Sequence, residues 1–283
     1  MNETIDVKGK RVIITGPTSG IGKEIAIGLG ALGADLVLGC RDVPRGRQVA
    51  DEIARRTGAK SIAVMHLDTS SQQSIREFAQ KYRAKYPRLD VLVNNAGMNR
   101  GTQPRENSVD GIELTFATNV LGYHFMVKQF LDLLKASAPA RIVNVASTFA
   151  GDLDLDDLQF DHRPFDSIKA YAQSKACDRM LTWALARRLE GSGITANAMA
   201  PGLIASTGLY RHARPELVMR LRQRGDRTAA EGADTAVWLA SSPKVEGVSG
   251  KFFEERKAVS CEFRNKKNEE KLWEICERLI EAN

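Results

Sequence analysis

Tyr171 and Lys175 stand four residues apart in a stretch with helical patterning, Ser167–Glu190, so their side chains share one face, a turn apart. A phenol and an ammonium at that spacing are the parts of a proton-transfer device. Tyrosine titrates near 10 in water, too high for an efficient base at neutral pH, and a cation about 5 Å away is expected to lower it by about two pK units at an effective dielectric of 20. Ser147 ends a Val/Ile-rich run, where its hydroxyl could hydrogen-bond the same reacting oxygen and steady its developing charge. Each feature alone also occurs on ordinary helices and turns.

Nearer the start, Thr15-Gly16-Pro17-Thr18-Ser19-Gly20-Ile21-Gly22 follows a strand-like run and opens a helix with Ile21, Ile25, Ala26, Leu29 and Leu32 on one face. Strand, glycine turn and helix come in the order that a dinucleotide phosphate site requires: a tight turn at Gly16, close backbone approach at Gly20, close helix–sheet packing at Gly22, and free N–H groups at the helix start. Pro17 removes one of those donors. About twenty residues on, where a carboxylate would hold the ribose hydroxyls of NAD, the chain reads Gly39-Cys40-Arg41-Asp42. Arg41 suits a 2′-phosphate, which points to NADP. The alternative is that Arg41 caps a loop and Asp42 holds the ribose, although Asp42 also suits an N-cap before a helix beginning near Pro44.

The elements that must position these groups follow from hydrophobic patterning. Arg11–Thr15, Asp35–Cys40, Ser61–Asp68, Val91–Ala96, Arg141–Ser147 and Ile194–Pro201 are continuous apolar runs, as expected of strands buried on both faces. Helical patterns near Ser19–Ala31, Pro44–Thr57, Ser71–Tyr86, Ser108–Leu134 and Ser167–Glu190 alternate with them. The sequence therefore predicts an α/β chain: one single-domain, Rossmann-type doubly wound parallel sheet with helices on both faces, spanning 1–283. Segments near 148–166 and 203–228 break the alternation and are expected to cover the substrate. Phe149, Phe160, Phe165, Leu203, Ile204, Leu209 and Tyr210 would give that cover an apolar lining.

In combination these motifs resemble the short-chain dehydrogenase/reductase family over nearly the whole chain. Thr15–Gly22 fits its Thr-Gly-x-x-x-Gly-x-Gly turn, Asn94-Asn95-Ala96-Gly97 its fourth-strand signature and Tyr171–Lys175 its Tyr-x-x-x-Lys, with Asn119, Ser147 and Pro201-Gly202 in the expected order. Cys40-Arg41-Asp42, the long segment before Tyr171 and Ser249–Phe253 look most like the retinol-dehydrogenase-like branch, which commonly uses NADP and lipophilic alcohols or carbonyls. The resemblance implies a catalytic set of Tyr171, Lys175, Ser147 and Asn119, with Asn119 anchoring a water beside Lys175 and Lys175 also holding the nicotinamide ribose. It implies cofactor contacts from Gly16, Thr18, Ser19, Gly20, Ile21, Gly22, Arg41, Asn95, Ala96, Gly97, Tyr171, Lys175, Pro201 and Gly202. Asp68 would accept from the adenine amino group, against a simpler role as a helix N-cap.

The expected activity is thus NADP-dependent hydride transfer between the nicotinamide and an alcohol or carbonyl carbon. The alternative is an NADP-sensing binding protein on the same fold, which would need the glycine turn but not the Ser147, Tyr171 and Lys175 set. The formal charge is +6, but Lys and Arg are dispersed and form no recognition motif, so no nucleic-acid partner is expected. Arg211, Arg214, Arg220, Arg222, Arg224 and Arg227, with Leu217, Val218 and Leu221 among them, suggest a solvated basic lid, with an amphipathic helix on a membrane surface as the alternative. Four well-separated cysteines read as reduced thiols, and His66, His124, His162 and His212 lack metal-ligand spacing, so no metal is expected. With no apolar run long enough to span a bilayer, a cytoplasmic location is the expectation. The helices near Ser108–Leu134 and Ser167–Glu190 are candidate homodimer surfaces.

Overall fold

The computed structural model describes residues 7–205, 208, 215–223 and 227–282. Leu209, Tyr210, Arg211, Arg214 and Arg224 of the expected cover, with the side chains of Leu217, Arg220 and Leu221, lie outside the described residues.

Eight strands form one sheet in the order β3-β2-β1-β4-β5-β6-β7-β8. The strands are β1 (Arg11–Thr15), β2 (Asp35–Cys40), β3 (Ile62–His66), β4 (Val91–Asn94), β5 (Ala140–Val145), β6 (Ile194–Ala200), β7 (Phe252–Glu254) and β8 (Lys257–Val259). The first seven in spatial order pair in parallel, and β8 returns antiparallel to β7. The β-branched runs are continuous because both faces are covered. Val12, Ile14, Leu36, Leu38, Val91 and Val93 pack beneath α1 (Gly20–Ala31), α2 (Val43–Thr57) and α8 (Ala229–Ser241). Ile13, Val37, Leu92 and Ile142 point the other way, toward α3 (Gln72–Arg83), α5 (Gly122–Ala136), α6 (Ser167–Arg188) and α9 (Lys266–Glu281). This is the expected single-domain doubly wound architecture.

Boundaries differ from the sequence reading where backbone groups find other partners. β4 ends at Asn94, not Ala96, because the N–H groups of Asn95 and Ala96 both donate to Thr15 Oγ1 at 2.9 Å instead of to a neighbouring strand. The helix expected from Ser108 begins at Leu114 as α4 (Leu114–Phe116). Buried Glu113 sets that start, its two carboxylate oxygens accepting from the N–H groups of Thr115 and Phe116 at 2.8 and 2.7 Å. A π-helical segment, Ala117–Leu121, joins α4 to α5.

The sequence reading assigned no elements after β6. The chain there forms α7 (Pro215–Gln223), then α8, opened by a reciprocal capping box between Thr228 and Glu231, then β7, β8 and α9. α9 lies on α6: Leu272, Cys276 and Ile280 are buried, and Arg187 and Arg188 pair with Glu269 and Glu270. Among the described residues no helix is long and apolar enough to cross a membrane.

Candidate active site

The sheet reverses its winding between β1 and β4, and the turns that follow these two strands are bonded to each other. Besides the two N–H groups held by Thr15 Oγ1, Asn95 Nδ2 donates to the carbonyl oxygens of Thr15 and Gly16 at 2.9 and 3.1 Å. Gly16 sits at φ +68, and a Cβ there would lie 2.8 Å from Ala96 Cα. At Gly22 a Cβ would stand on Asn95 Nδ2 and on the Gly16 carbonyl oxygen. Gly22 thus serves the junction of the two turns as well as helix–sheet packing. Ser19 caps α1 with extended backbone and no side-chain bond to the first-turn N–H groups. A cradle closed to any Cβ, beside a helix N-terminus whose donors are not spent on its own cap, fits a dinucleotide pyrophosphate.

At the tips of β2 and β3, Arg41 is exposed and borders the same cleft as Arg45. Asp42 is the N-cap of α2, accepting from Arg45 N–H at 2.9 Å, so its carboxylate already has the structural task that the sequence offered as an alternative. Burial pushes the Cys40 thiol up to about 11, with the nearby Asp42 charge adding to it. Asp68 does not cap α3; Ser71 does. Asp68 Oδ1 instead accepts from Ser70 N–H and Oγ–H, at 2.9 and 2.7 Å.

At the other end of the cleft, Ser147 and Tyr171 lie on the same wall. Ser147 Oγ accepts from Phe149 N–H at 3.0 Å, and the Phe149 ring stacks beside Tyr171 at a centroid distance of 6.4 Å. Lys175 is buried. Its Nζ donates to Asp178 Oδ2 at 2.8 Å and to Val145 O at 3.0 Å, and lies 5.9 Å from the Tyr171 ring centroid. The net direction at Tyr171 is nevertheless upward, because burial, which the spacing argument did not include, is the largest influence. Burial pushes Tyr171 up to about 12, the neighbouring Ser147 hydroxyl opposes this, and the Asp178 charge adds to it. Burial works against the Lys175 ammonium, but Asp178 and Tyr123 outweigh it and raise the group overall.

Asn119, in the π-helical segment, is fully buried behind the cleft. Its Oδ1 accepts from Met98 N–H at 2.9 Å, and its Nδ2 donates to Met98 O and Ser174 Oγ at 3.0 and 2.9 Å. Its side chain thus fixes the turn after β4 against α6.

One cleft of about 380 Å³ is lined by Gly16, Thr18, Ser19, Gly20, Ile21, Gly22, Arg41, Asp68, Asn95, Ala96, Gly97, Ser147, Tyr171, Lys175, Pro201 and Gly202. Of the expected site residues only Asn119 is not on its wall. Three further residues were not singled out from sequence. Arg45 lies one turn into α2 beside Arg41, and Asp178 lies three residues after Lys175. Buried Arg179 donates to the Ser147 carbonyl and stacks 3.9 Å from the Phe252 ring. The i,i+3 spacing could have revealed Asp178; nothing local points to Arg179.

The two expected covers differ in what they present. Phe160 is buried and packs edge-on against Phe165 of the same segment, and neither ring lines the cleft. Phe149 remains 54% exposed, and Ile204 reaches the wall. Among the described residues no group of three or more His, Cys, Asp or Glu is arranged to hold a metal ion.

A family model described as short chain dehydrogenase matches residues 10–217. Retinol dehydrogenase 14 of Homo sapiens is 38% identical over 294 residues, covering 96% of this chain and 86% of that protein. Retinol dehydrogenase 12 of Homo sapiens is 39% identical over 281 residues, with coverages of 97% and 88%. Among solved structures, the Pseudomonas aeruginosa RhlG/NADP active-site complex shares the fold at a TM-score of 0.72 and 28% identity, covering 89% of this chain and 97% of that one. An actinorhodin polyketide ketoreductase with NADPH gives a TM-score of 0.69 at 27% identity, with coverages of 87% and 95%. Sequence identity along nearly the full length and a shared fold lead to one assignment: the chain belongs to the short chain dehydrogenase family, in its retinol-dehydrogenase-like branch, and is an oxidoreductase acting on CH–OH/C=O groups.

Proposed function

We propose that the chain is an NADP-dependent reductase/dehydrogenase of lipophilic alcohols and carbonyls, with Tyr171 as its proton donor and acceptor. The observation that carries this reading is that Ser147, Tyr171 and Lys175 line the same cleft as the glycine cradle. Gly16, Ser19, Gly20, Ile21 and Gly22 would hold the pyrophosphate, Asp68 and the Asn95–Gly97 turn the adenosine half, and Lys175 with Pro201 and Gly202 the nicotinamide half. Bound there, the nicotinamide supplies or accepts the hydride.

The chain's own groups handle the proton. In reduction Tyr171 gives its phenolic proton to the carbonyl oxygen, and in oxidation it takes the alcohol proton back. Ser147 donates to the same oxygen, held in place by its bond from Phe149 N–H and by Arg179 on its carbonyl. Asn119 and Lys175 brace the floor of the site through Met98, Ser174 and Val145.

Arg41 and Arg45 at the β2 end support a preference for the 2′-phosphate, since Asp42 is committed to its cap and Cys40 occupies the position of the ribose carboxylate. The two NADP(H)-bound relatives agree with this choice. The exposed Phe149 ring beside Tyr171, and relatives named for retinol, favour an apolar substrate. The segments near 148–166 and 203–228 would cover it. The test is NADPH consumption across a panel of carbonyls of graded apolarity, in the wild type and in Tyr171→Phe. Turnover should rise with apolarity and fall by about two to four powers of ten in the variant, with NADPH binding retained. Wild-type turnover by Tyr171→Phe would refute the role of Tyr171, and specificity constants that fall as the substrate grows more apolar would refute the substrate class.

A further inference from the structure

One turn beyond Lys175 on α6, Arg179 is buried at 6% exposure. Its guanidinium makes no salt bridge among the described residues, and Asp178, its neighbour in sequence, is bonded to Lys175. A guanidinium taken out of water without a carboxylate partner is costly, so what it does touch is informative. Nη2 donates to the Ser147 carbonyl oxygen, and Nη1 donates to Cys261 Sγ at 3.3 Å. Cζ lies 3.9 Å from the centroid of the Phe252 ring and 5.6 Å from that of Phe263. Nε has no partner, so the two rings and the two Nη bonds set how the group lies.

The guanidinium therefore bridges two parts of the chain. One is the backbone of the cleft serine. The other is β7 and the turn that leads into α9, both beyond residues 10–217, the part that the family model matches. Ser147 needs such a restraint. β5 ends at Val145, and Ala146 N–H still reaches Met199 O at 2.8 Å, but the Ser147 carbonyl has left the ladder and takes its bond from Arg179. A hydroxyl that must stay within hydrogen-bond reach of a reacting oxygen tolerates little drift, since a misplacement of about 1 Å can cost about 100-fold in rate.

We propose that Arg179 is a positioning residue for Ser147 and that the chain beyond β6 supports catalysis through it: Phe252, Cys261 and Phe263 fix the guanidinium, and the guanidinium fixes the peptide of the serine that steadies the reacting oxygen. This rests on the reading of Ser147 as a donor to that oxygen.

The test is a double-mutant cycle on the whole chain, read as the single-turnover rate of NADPH oxidation with an apolar aldehyde that the wild type reduces. Arg179→Met keeps an unbranched stem against the rings and removes every donor. It should slow that rate by about 10- to 100-fold and leave the NADPH dissociation constant unchanged, because the glycine cradle lies at the other end of the cleft. In a Ser147→Ala background the same substitution should change the rate by less than about two-fold, since the group that it positions is gone. Arg179→Lys keeps the charge but not the fork that spans both acceptors, and should fall between wild type and Arg179→Met. Phe263→Leu should show the same dependence on Ser147 on a smaller scale. A residue that only stabilises the fold would slow both backgrounds alike. An equal factor with and without Ser147 therefore overturns the proposal, as does a wild-type rate in folded Arg179→Met. Should Arg179→Met not fold, the cycle is run with Arg179→Lys and the same two results decide. Failure of the Ser147 reading looks different: Ser147→Ala alone would then keep the wild-type rate.

Discussion

Replacing Gly22 by alanine sets helix propensity against packing, and the structure decides which effect wins. Gly22 lies in α1, where alanine is ordinarily favoured over glycine by about 1 kcal/mol. The added methyl, however, would stand on Asn95 Nδ2 and the Gly16 carbonyl oxygen, with Asn95 Cγ at 3.1 Å. One neighbour is backbone, and the other is a side chain held at both of its donor contacts, so neither yields freely. Relief requires Asn95 to leave Thr15 O and Gly16 O, a loss of about 1 kcal/mol for each bond. Overpacking costs a further 1–3 kcal/mol or so. Against the propensity gain, the net expectation is a destabilisation of about 2–4 kcal/mol. The displaced turn is also the one proposed to receive the pyrophosphate, so NADPH binding should weaken together with stability. Denaturant unfolding and NADPH titration of Gly22→Ala measure both. A variant as stable as the wild type with unchanged NADPH affinity would refute the claim that this junction is closed to a Cβ.

Arg41→Ala should weaken NADPH binding by roughly ten-fold to several hundred-fold while leaving NADH nearly unaffected, from one or two lost charge-assisted bonds of about 1.5–3 kcal/mol each; equal weakening of both cofactors would assign the preference elsewhere. Tyr171 is raised to about 12 by burial, and burial raises Tyr82 and Tyr123 as well. Groups raised in the folded state contribute stability below their unfolded value and lose it as pH climbs toward the folded one. Unfolding free energy followed across alkaline pH should therefore fall from about pH 10 upward, and a flat profile there would contradict the burial of these phenols. Leu272 is fully buried between α9 and the body, so Leu272→Ala should cost about 2–5 kcal/mol in chemical denaturation; a loss under 1 kcal/mol would mean that α9 contributes little to the fold.

The six strands β1–β6 were legible because a strand covered on both faces must be apolar at every position, and runs such as Val12–Ile14 and Val91–Val93 leave no polar face. Their ends were less so: Ala96 looks like more strand, but its N–H belongs to Thr15, which is 81 residues away. β7 has only three residues, too few for a period. α9 does carry an i, i+4, i+8 stripe at Leu272, Cys276 and Ile280, yet its glutamates mask it until α6 is known to supply Arg187 and Arg188. In the site, Gly16–Gly22 and Tyr171–Lys175 were readable because each is a local spacing. The electrostatics were not, since the i,i+4 rule places Lys175 near Tyr171 but cannot say that its Nζ turns to Asp178. Arg179 escaped for a related reason: its contacts, Phe252, Cys261 and the Ser147 carbonyl, assemble only when β7 joins the sheet beside β6.

The antiparallel return of β8 bears on how the protein behaves in a crowded solution. Without it, β7 would present a parallel edge with free N–H and C=O groups, a template on which a second chain could add a strand. The turn through Glu255 and Arg256, both at positive φ, brings Lys257–Val259 alongside β7 and ends the pairing after three residues. All three are exposed, and the first is a lysine whose charge must be desolvated before another strand can approach. At this end of the sheet, intermolecular strand addition, and with it templated aggregation, is discouraged by an edge that is short, sharply turned and charged.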